Sequence, residues 1–463
     1  MNLTLTDIAQ TFNHALIPDL DKPVTGVSVD SRTIRPGMVF FALTGDRFDG
    51  HRFSAAAFEK GAAAAVVNAE WLRENAPPAD TVLIPVPDVL KALQDLASVY
   101  RKLFSFPVIA VTGTNGKTTT KEMIAAVLQM KFRTAKTEGN LNNHIGVPLS
   151  VCAWDKSREV AVVEMGTNHF GEIRRLCEIA RPTHGVLTNI GKAHLEFLGD
   201  LDGVARAKSE LLDALAEGGK AFLNGDDFRL AAMKTRVPET VTYGFMDGCS
   251  LTGRIVKTES GGVSLLEIED RRFRIPVPGI HNAANALAAV AVGRAFGVPW
   301  DSMQEALERF SPPERRTQVT SLAGVRICDD TYNANPSSVE QAILMLKAMP
   351  SLKRRAVVLG DMLELGDKSA EEHRRIGGLV ADVRPNAFFC TGDAMAAAAE
   401  EARSRGMRNV FHFASRAELS AALTGWVREG DGVLVKGSRG AAMEETVEAL
   451  AAFLNVQREP TER

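Results

Sequence analysis

A glycine-rich stretch near residue 113 carries the residue types that bind a phosphate chain. An apolar run at 107–111 predicts a buried strand, and a helix is predicted from 117 to about 131. In such a turn, backbone N–H groups and the positive helix end hold phosphate oxygens, a lysine reaches the terminal phosphates, and a threonine binds Mg²⁺. The general pattern has a glycine where this chain has Val111, yet strand, turn and helix together predict a nucleotide site. Its residues are Gly113, Thr114, Asn115, Gly116, Lys117, Thr118 and Thr119.

Glu164, His194 and Lys208 are the next residues whose types suit a metal or phosphate site. Glu164 ends a predicted strand, and a carboxylate at the tip of a strand beside the phosphate loop is well placed to bind Mg²⁺. His194 also follows a predicted strand, but a lone histidine is more often structural, and imidazole is an unusual ligand for Mg²⁺. Lys208 lies in a predicted helix, where a lysine is ordinarily exposed. From the residues alone, His194 and Lys208 are given no role.

Polar clusters follow three predicted strands in the last third of the chain. They read DDTYNANPSS from 329, GDMLELG from 360 and KGSRG from 436. Carboxylates and amides of the first cluster suit ribose hydroxyls, although Asn-x-Asn-Pro also fits an ordinary loop. Lys436 and Arg439 suit a carboxylate or a phosphate, which arginine binds through two parallel hydrogen bonds. Parallel strands present their carboxyl ends at one edge, so the clusters predict a ligand site there.

Alternation of strands and helices predicts an α/β protein of three domains. These are a small N-terminal α/β domain at 1–86, a central P-loop-type domain with a mostly parallel sheet at 87–312, and a C-terminal Rossmann-like doubly wound sheet at 313–463. Residues 241–276 are predicted to form short antiparallel strands. Asp88 is the predicted N-cap of a helix, and the spacing of Ser337 and Glu340 predicts a capping box. The predicted strands lie at 24–29, 38–43, 64–67, 82–84, 107–111, 160–164, 185–189, 221–224, 325–329, 356–359, 387–390, 410–413 and 432–435.

Composition excludes several classes of function. A net charge of -3 with scattered lysines and arginines gives no sign of a nucleic-acid partner. The 5 cysteines are widely spaced, so they predict buried thiols in a reducing compartment rather than disulfides or a zinc site. The N-terminus lacks the pattern of a secretion signal, and no apolar run is long enough to span a bilayer. We expect a cytoplasmic monomer without membrane insertion.

Several motifs together resemble the Mur ligases of peptidoglycan synthesis, and the resemblance covers essentially the whole chain. TGTNGKTT from 112 is similar to the phosphate loop of that family, which also lacks the first glycine. The stretch from Asp30 to Phe53 resembles the uridine-nucleotide-binding domain of some members. GNLNNHIGVP from 139, GIHNAANALAA from 279 and the three C-terminal clusters resemble motifs of members that add D-alanyl-D-alanine.

The resemblance implies ATP and Mg²⁺ as cofactors and assigns roles that the residues alone do not. Thr118 and Glu164 would hold one Mg²⁺ and His194 a second, while Lys208 would be carbamylated and so become a metal ligand. With the phosphate loop, Asn282, Arg316 and Asp330 would bind the nucleotide. The family usually has Gly-Arg where this chain has Arg315-Arg316, so which arginine faces the phosphates stays open. The substrates would be bound by Ser31, Arg32, Asn140, Asn142, Asn143, Asn335, Lys436, Ser438 and Arg439.

The implied reaction joins D-alanyl-D-alanine to the terminal carboxylate of UDP-N-acetylmuramoyl-tripeptide. Other members of the family stay open as alternatives, although the chain lacks an Asp-Asn-Pro-Arg motif typical of tripeptide-forming ligases. A folylpolyglutamate synthetase relative would lack a uridine-nucleotide domain. A P-loop switch protein of another class would carry an Asn-Lys-x-Asp motif, which is absent from the sequence. The third residue of the tripeptide and the order of substrate binding are left open.

An acyl phosphate intermediate hydrolyses in open water, so we predict that the last domain closes over the site about a hinge at 312–316. Small-angle X-ray scattering, measured with and without an ATP analogue and the UDP-linked tripeptide, tests this. The radius of gyration is expected to fall when both ligands are present. Unchanged dimensions would contradict the prediction.

Overall fold

The structure is a computed structural model that describes residues 1, 3–12, 22–45, 48–75, 81–259 and 262–456. Within the stretch that resembles a uridine-nucleotide-binding domain, Asp46 and Arg47 lie outside the described residues. The predicted α/β class is confirmed, because mixed and parallel sheets carry helices between successive strands.

The N-terminal part is a four-stranded parallel sheet in the order β1-β2-β5-β6. A small antiparallel pair, β3 and β4, lies beside it. The strand predicted at 24–29 is shorter than expected, since only 26–28 pairs with β2. The elements are α1 Leu5–Thr11, β1 Gly26–Ser28, β2 Met38–Phe41, β3 Thr44–Gly45, β4 Phe48–Asp49, α2 Ser54–Glu59, β5 Ala64–Asn68, α3 Ala69–Glu74 and β6 Leu83–Val86.

The central part is built on a nine-stranded sheet in the order β15-β14-β13-β12-β11-β10-β7-β9-β8. Its strands are parallel from β8 to β13, and only β13, β14 and β15 pair antiparallel. The elements are α4 Val89–Arg101, β7 Val108–Thr112, α5 Lys117–Gln129, β8 Thr134–Lys136, α6 Gly146–Cys152, β9 Val160–Glu164, α7 Glu172–Ala180, β10 His184–Leu187, α8 Leu195–Leu198, α9 Leu201–Asp213, β11 Lys220–Asn224, α10 Phe228–Ala231, β12 Glu239–Gly244, β13 Leu251–Thr258, β14 Ser264–Ile268, β15 Arg271–Ile275, α11 Ile280–Ala295 and α12 Trp300–Glu308.

The C-terminal part is a six-stranded sheet in the order β16-β17-β21-β18-β19-β20. Only β16 pairs antiparallel, and the other strands are parallel. The elements are β16 Gln318–Leu322, β17 Val325–Asp330, α13 Pro336–Ala348, β18 Arg354–Gly360, α14 Ser369–Val383, β19 Ala387–Thr391, α15 Met395–Ser404, β20 Val410–Phe413, α16 Arg416–Trp426, β21 Asp431–Lys436 and α17 Glu444–Val456.

Both large sheets bury hydrophobic side chains on each face, as parallel sheets require. In β7, Val108 and Ala110 join the core on one face, and Ile109 and Val111 join the core on the other. The alternation of successive side chains along a strand explains this division. The C-terminal sheet repeats the arrangement, with two separate cores on its faces.

Two local predictions are wrong, and for the second the structure supplies a physical reason. Strand β12, which covers the start of the stretch predicted as antiparallel, pairs parallel with β11 and β13. The capping box that starts α13 is formed by Asn335 and Ser338 rather than by Ser337 and Glu340. Pro336 occupies the first helical turn, where its fixed φ is favourable, and this places the N-cap at Asn335.

The other local predictions agree with the structure. The Asp88 side chain accepts a hydrogen bond from the Lys91 backbone N–H and caps α4. All five cysteines are free thiols. Four of them are buried and Cys249 is half-buried, so the expectation of buried thiols holds for all but that residue.

Candidate active site

A cavity of about 1310 Å³ lies between the central and C-terminal sheets. The carboxyl ends of β7, β9 and β10 border it on one side, and the residues that follow β17, β18 and β21 border it on the other. The lining includes most of the predicted site residues: Thr114, Asn115, Gly116, Lys117, Thr118, Thr119, Asn142, Asn143, Glu164, His194, Asn282, Arg316, Asp330, Asn335, Lys436, Ser438 and Arg439. Gly113, Asn140, Lys208, Ser31 and Arg32 do not line it.

The phosphate loop is packed so closely against the segment after β10 and against α11 that its glycines admit no side chain. Gly113 has φ +147, and a Cβ there would lie 1.9 Å from the Thr188 hydroxyl oxygen. Gly116 has φ +78, and a Cβ would lie 2.6 Å from Asn285 Oδ1. These backbone conformations and distances require glycine. The loop is therefore held in one shape by its neighbours.

Hydrogen bonds from the segment after β10 fix the loop further. The Thr114 N–H donates to the Asn189 carbonyl oxygen at 2.9 Å, and the Asn115 N–H donates to Asn189 Oδ1 at 3.0 Å. The Thr188 hydroxyl donates to the Asn115 carbonyl oxygen at 2.6 Å. Asn189 is a residue that the sequence analysis missed, although its position at a strand end signalled it.

Lys117 is half-buried at the start of α5 and folds back over the loop. Its Nζ donates to the Gly113 and Thr114 carbonyl oxygens, both at 2.9 Å. Burial lowers the pKa of Lys117 to about 8, the nearby charge of Glu164 raises it, and that of Arg316 lowers it. An anion that entered the cleft would stabilise the charged form of this lysine.

Thr118 and Glu164 supply two oxygen atoms that suit a metal ion. Thr118 Oγ1 and Glu164 Oε2 are both buried, and neither has a hydrogen-bond partner among the residues that the structure describes. Buried polar atoms almost always have a hydrogen-bond partner, so two such atoms without one are consistent with a ligand site. A hydroxyl and a carboxylate oxygen beside a phosphate loop are ligands that Mg²⁺ prefers. The residues present therefore fit this ion.

Lys208 lies on α9 and is fully buried, which contradicts the default expectation of an exposed lysine. It is buried because α9 packs against α7 and α8 as well as near β7 and β10. Burial lowers the pKa of Lys208 well below its ordinary value, and the charge of Lys117 adds to this. In the described part of the chain no carboxylate forms an ion pair with it.

His194 joins the two sides of the cleft. Its Nδ1 lies 2.5 Å from Glu364 Oε2, across 170 positions of sequence. This hydrogen bond lowers the pKa of Glu364 below its usual value. Both residues adopt left-handed backbone conformations, with φ 53 at His194 and φ 60 at Glu364. Glu364 lies in the GDMLELG cluster, but nothing in the sequence indicated that His194 would be its hydrogen-bond partner.

On the C-terminal side, the Lys436 ammonium forms an ion pair with the Asp330 carboxylate. Its Nζ lies 2.6 Å from Asp330 Oδ2 and donates to the Asn333 carbonyl oxygen at 2.9 Å. The other oxygen of Asp330 accepts from the Thr317 N–H at 3.0 Å. The Ser438 hydroxyl accepts from the Leu363 N–H at 2.9 Å. Lys436 and Ser438 therefore fix the three C-terminal clusters against one another.

Arg315 and Arg316, which the sequence left undistinguished, point to different partners. Arg315 Nη1 lies 2.7 Å from Glu444 Oε1 on α17, and Arg315 does not line the cleft. Arg316 lines the cleft, and its guanidinium lies 3.8 Å from the centre of the Tyr332 ring. Tyr332 also lies below Arg439, whose guanidinium is 5.8 Å from the same ring.

The asparagines of the predicted site are mostly hydrogen-bonded within the protein. Asn142 Nδ2 donates to Glu164 Oε1 at 2.7 Å, and Asn143 Oδ1 accepts from the Gly146 N–H at 2.9 Å. Asn335 Nδ2 donates to Asn115 Oδ1 at 2.8 Å and so links the two sides of the cleft. Asn282 Nδ2 donates to the Pro278 carbonyl oxygen at 2.7 Å.

Ser31 and Arg32 lie in the N-terminal part, away from the cavity. The Arg32 guanidinium pairs with Asp30, and this pairing lowers the pKa of Asp30 to about 2.

His281 is a further residue without an assigned role from the sequence. It lines the cleft, and its Nδ1 is buried without a hydrogen-bond partner among the described residues. Burial lowers the pKa of His281 to about 4, so the ring is neutral at neutral pH. Its position beside Asn282, at the start of α11, was the only signal available.

Comparison with known proteins identifies the family. Residues 23–101 match the Mur ligase family catalytic domain, 111–293 the Mur ligase middle domain, and 315–439 the Mur ligase glutamate ligase domain. The chain is 36% identical over 452 residues to UDP-N-acetylmuramoyl-tripeptide--D-alanyl-D-alanine ligase of Bacillus subtilis. The aligned region covers 96% of this chain and 98% of that relative. The chain belongs to the Mur ligase family.

Solved structures agree with this assignment. This Mur ligase superimposes on MurF from Acinetobacter baumannii with a TM-score of 0.87 and 31% identity, over 96% of this chain and 98% of that one. It superimposes on MurF ligase from Thermotoga maritima in complex with ADP with a TM-score of 0.81 and 29% identity, over 93% and 98% of the chains. Among the described residues of this Mur ligase, no helix has the length and apolar character needed to cross a membrane.

The different positions of Arg315 and Arg316 predict different effects of their loss on nucleotide binding. Arg316→Met should weaken ADP binding by about 10-fold to about 150-fold, because a charge-assisted hydrogen bond contributes about 1.5–3 kcal/mol. Arg315→Met removes a contact to α17 instead and should leave ADP affinity within about 3-fold of the parent. Isothermal titration calorimetry measures both. A larger loss for Arg315→Met than for Arg316→Met would contradict the assignment.

Proposed function

We propose that this chain uses ATP to join D-alanyl-D-alanine to the terminal carboxylate of UDP-N-acetylmuramoyl-tripeptide, which forms the pentapeptide precursor of peptidoglycan. The observation that carries the proposal is one cleft between a phosphate loop and the three C-terminal clusters. Full-length similarity to ligases with that printed name supports the choice of substrates.

The chemistry follows from the poor reactivity of a carboxylate. Its carbonyl carbon has no good leaving group, so an amine does not displace oxygen from it. Transfer of the γ-phosphoryl group of ATP to a carboxylate oxygen gives ADP and an acyl phosphate. The amine of the dipeptide then attacks the acyl carbon, the amide bond forms, and phosphate leaves with the bonding electrons. Such a transfer needs positioning and neutralisation of charge more than covalent help.

The phosphate loop and Lys117 would bind the β- and γ-phosphates of ATP. The loop is already held in shape by its contacts with Asn189 and Thr188, so little conformational entropy is lost on binding. Thr118 and Glu164 would hold Mg²⁺ through the two buried oxygens that lack partners. When bound, Mg²⁺ supplies charge neutralisation and polarisation of phosphoryl oxygens. Asn282, Arg316 and Asp330 would contact the rest of the nucleotide.

Lys208 is proposed to react with CO₂ and become a carbamate. The neutral amine attacks the carbon of CO₂, an N–C bond forms, and a proton leaves to solvent. The low pKa of Lys208 keeps the amine neutral, and a carbamate would place a negative charge near Lys117. Together with His194, which Glu364 orients, this carbamate would hold a second Mg²⁺.

The three parts of the chain would divide the task. Residues 1–86 would bind the uridine nucleotide, with Ser31 and Arg32, while 87–312 bind ATP and 313–463 bind the remaining substrate. Arg439 would contact a substrate anion, because it is exposed and forms no ion pair among the described residues. Asn140, Asn142, Asn143 and Asn335 would contact the UDP-linked substrate. Such a precursor ligase is expected in the cytoplasm.

The reaction predicts phosphate release that depends on two acceptors at once. Purified chain with ATP and Mg²⁺ should release phosphate only when UDP-N-acetylmuramoyl-tripeptide and D-alanyl-D-alanine are both present. Release with an earlier precursor and a single amino acid would instead indicate another ligase of the family. ATP turnover that is indifferent to every UDP-linked peptide would contradict the proposal altogether.

Carbamylation predicts a specific rescue. Lys208→Ala should lower kcat by about 100-fold or more, because the loss of a group that only supports a metal ligand already costs about 10–100-fold. Short carboxylates such as acetate, added at millimolar concentration, should restore part of the activity by replacing the carbamate. Lys220→Ala is the matched control, since Lys220 pairs with Glu239 away from the cleft and should change little. Full activity of Lys208→Ala without added carboxylate would remove Lys208 from the mechanism.

A further inference from the structure

Lys121 is a fully buried lysine for which the reaction above has no use. It lies on α5 four residues after Lys117, so both lysines lie on the same side of the helix. Its side chain has 0% exposure. Burying an ammonium group is strongly unfavourable unless it is paired and hydrogen-bonded. A lysine in this position therefore needs a compensating set of contacts.

The three N–H groups of the ammonium each have an acceptor. Nζ donates to the Thr137 carbonyl oxygen at 2.6 Å and to the Gly139 carbonyl oxygen at 3.2 Å. It also pairs with Glu122 Oε1 at 2.9 Å, and Glu122 is shared with Lys136 at 2.6 Å. The charge of Lys121 is thus balanced by Glu122. The two hydrogen bonds to carbonyl oxygens fix the position of the segment between β8 and α6.

Residues 137–143, which these contacts fix, form hydrogen bonds to both the backbone and the side chain of Glu164. Thr137 Oγ1 accepts a hydrogen bond from the Glu164 backbone N–H at 3.1 Å. Further along the segment, Asn142 donates to Glu164 Oε1 at 2.7 Å, and its carbonyl oxygen accepts from the Gly166 N–H at 2.8 Å. Movement of residues 137–143 would therefore move the carboxylate.

Lys121 also acts on Glu164 through its charge. Nζ lies 4.0 Å from Glu164 Oε2, the carboxylate oxygen without a hydrogen-bond partner. At this distance the ammonium attracts the carboxylate by Coulomb interaction, yet it does not occupy the oxygen. A directly hydrogen-bonded lysine would compete with a cation for that oxygen. The observed spacing leaves Oε2 free to bind one.

We propose that Lys121 is a positioning residue for the metal site: it fixes residues 137–143 and so keeps the Glu164 carboxylate in the position that would bind Mg²⁺. The inference rests on the proposed function, because it concerns the metal that the phosphate loop would bind. It adds a residue that does not itself touch nucleotide or metal.

The test measures ADP affinity by calorimetry with and without Mg²⁺. Lys121→Gln removes the charge and keeps an amide donor. It should lower the Mg²⁺-dependent gain in ADP affinity by about 10-fold or more, while ADP affinity without Mg²⁺ stays within about 3-fold of the parent. Lys121→Arg keeps the charge and should retain more of that gain than Lys121→Gln.

Lys131→Gln is the matched control. Lys131 follows α5 and also donates to two backbone carbonyl oxygens, those of Phe296 at 3.0 Å and Gly297 at 2.9 Å, but outside the cleft. Its loss should leave ADP affinity unchanged in both conditions.

Several results would overturn the inference. Equal weakening of ADP binding with and without Mg²⁺ in Lys121→Gln would mean that Lys121 has only a structural role, and so would equal losses in the glutamine and arginine variants. If the Lys121 variants do not fold, Asn142→Ala should show the same selective loss of the Mg²⁺ effect, and its absence would count against the segment's role.

The assay separates this inference from the ligase reaction, since it needs no UDP-linked substrate. A parent chain whose ADP affinity ignores Mg²⁺ would overturn the metal site and this inference together. A chain with Mg²⁺-dependent ADP binding but no ligase activity would leave the inference standing and overturn the proposed function.

Discussion

A group of buried lysines around one carboxylate is the constraint on which the site depends. Lys121 and Lys208 are fully buried and Lys117 is half-buried, whereas Glu164 is the buried carboxylate near them. Glu122 balances the charge of Lys121, whereas Lys117 and Lys208 form no ion pair among the described residues and burial lowers the pKa of each. Burial of unpaired charge is strongly unfavourable, so burial favours the neutral amine at Lys208, and an anion that entered the cleft would stabilise the charged form of Lys117. The low-dielectric cleft then makes each contact with that anion stronger than it would be in water.

The residues around the phosphate loop pack closely against it and hold it in place. Gly113 and Gly116 approach Thr188 and Asn285 too closely for any side chain, and the Asn189 side chain binds the loop's N–H and carbonyl groups. These contacts fix the N–H groups before a ligand arrives, which is the arrangement that electrostatic stabilisation requires. The two parallel sheets supply the rest, because their carboxyl ends meet at the same cleft.

The sequence predicted those parts whose signals are local. Short apolar runs located the buried strands to within a few residues, and the phosphate loop was recognisable from its own residues. Predictions from the sequence failed where contacts between distant residues determine the result. Lys208 is buried because α9 has neighbours on several sides. The helix that begins at 336 is capped by Asn335 because Pro336 fixes its start. The hydrogen bond between His194 and Glu364 and the choice between Arg315 and Arg316 depend on how two distant parts of the chain face each other. No window of sequence contains that information.

The segment after β10 is where the two halves of the site become one unit. On one side Asn189 and Gly191 bind the phosphate loop, and on the other the Lys192 N–H donates to the Ser337 hydroxyl at 3.0 Å. The Lys192 ammonium pairs with Glu372, whose side chain is only 2% exposed. Rotation of the C-terminal part about 312–316 would have to break this buried pair together with the contact between His194 and Glu364. Glu372 would keep its pairing with Arg375 at 2.9 Å, but the loss of one partner at a buried carboxylate is still unfavourable, so these contacts resist opening of the cleft.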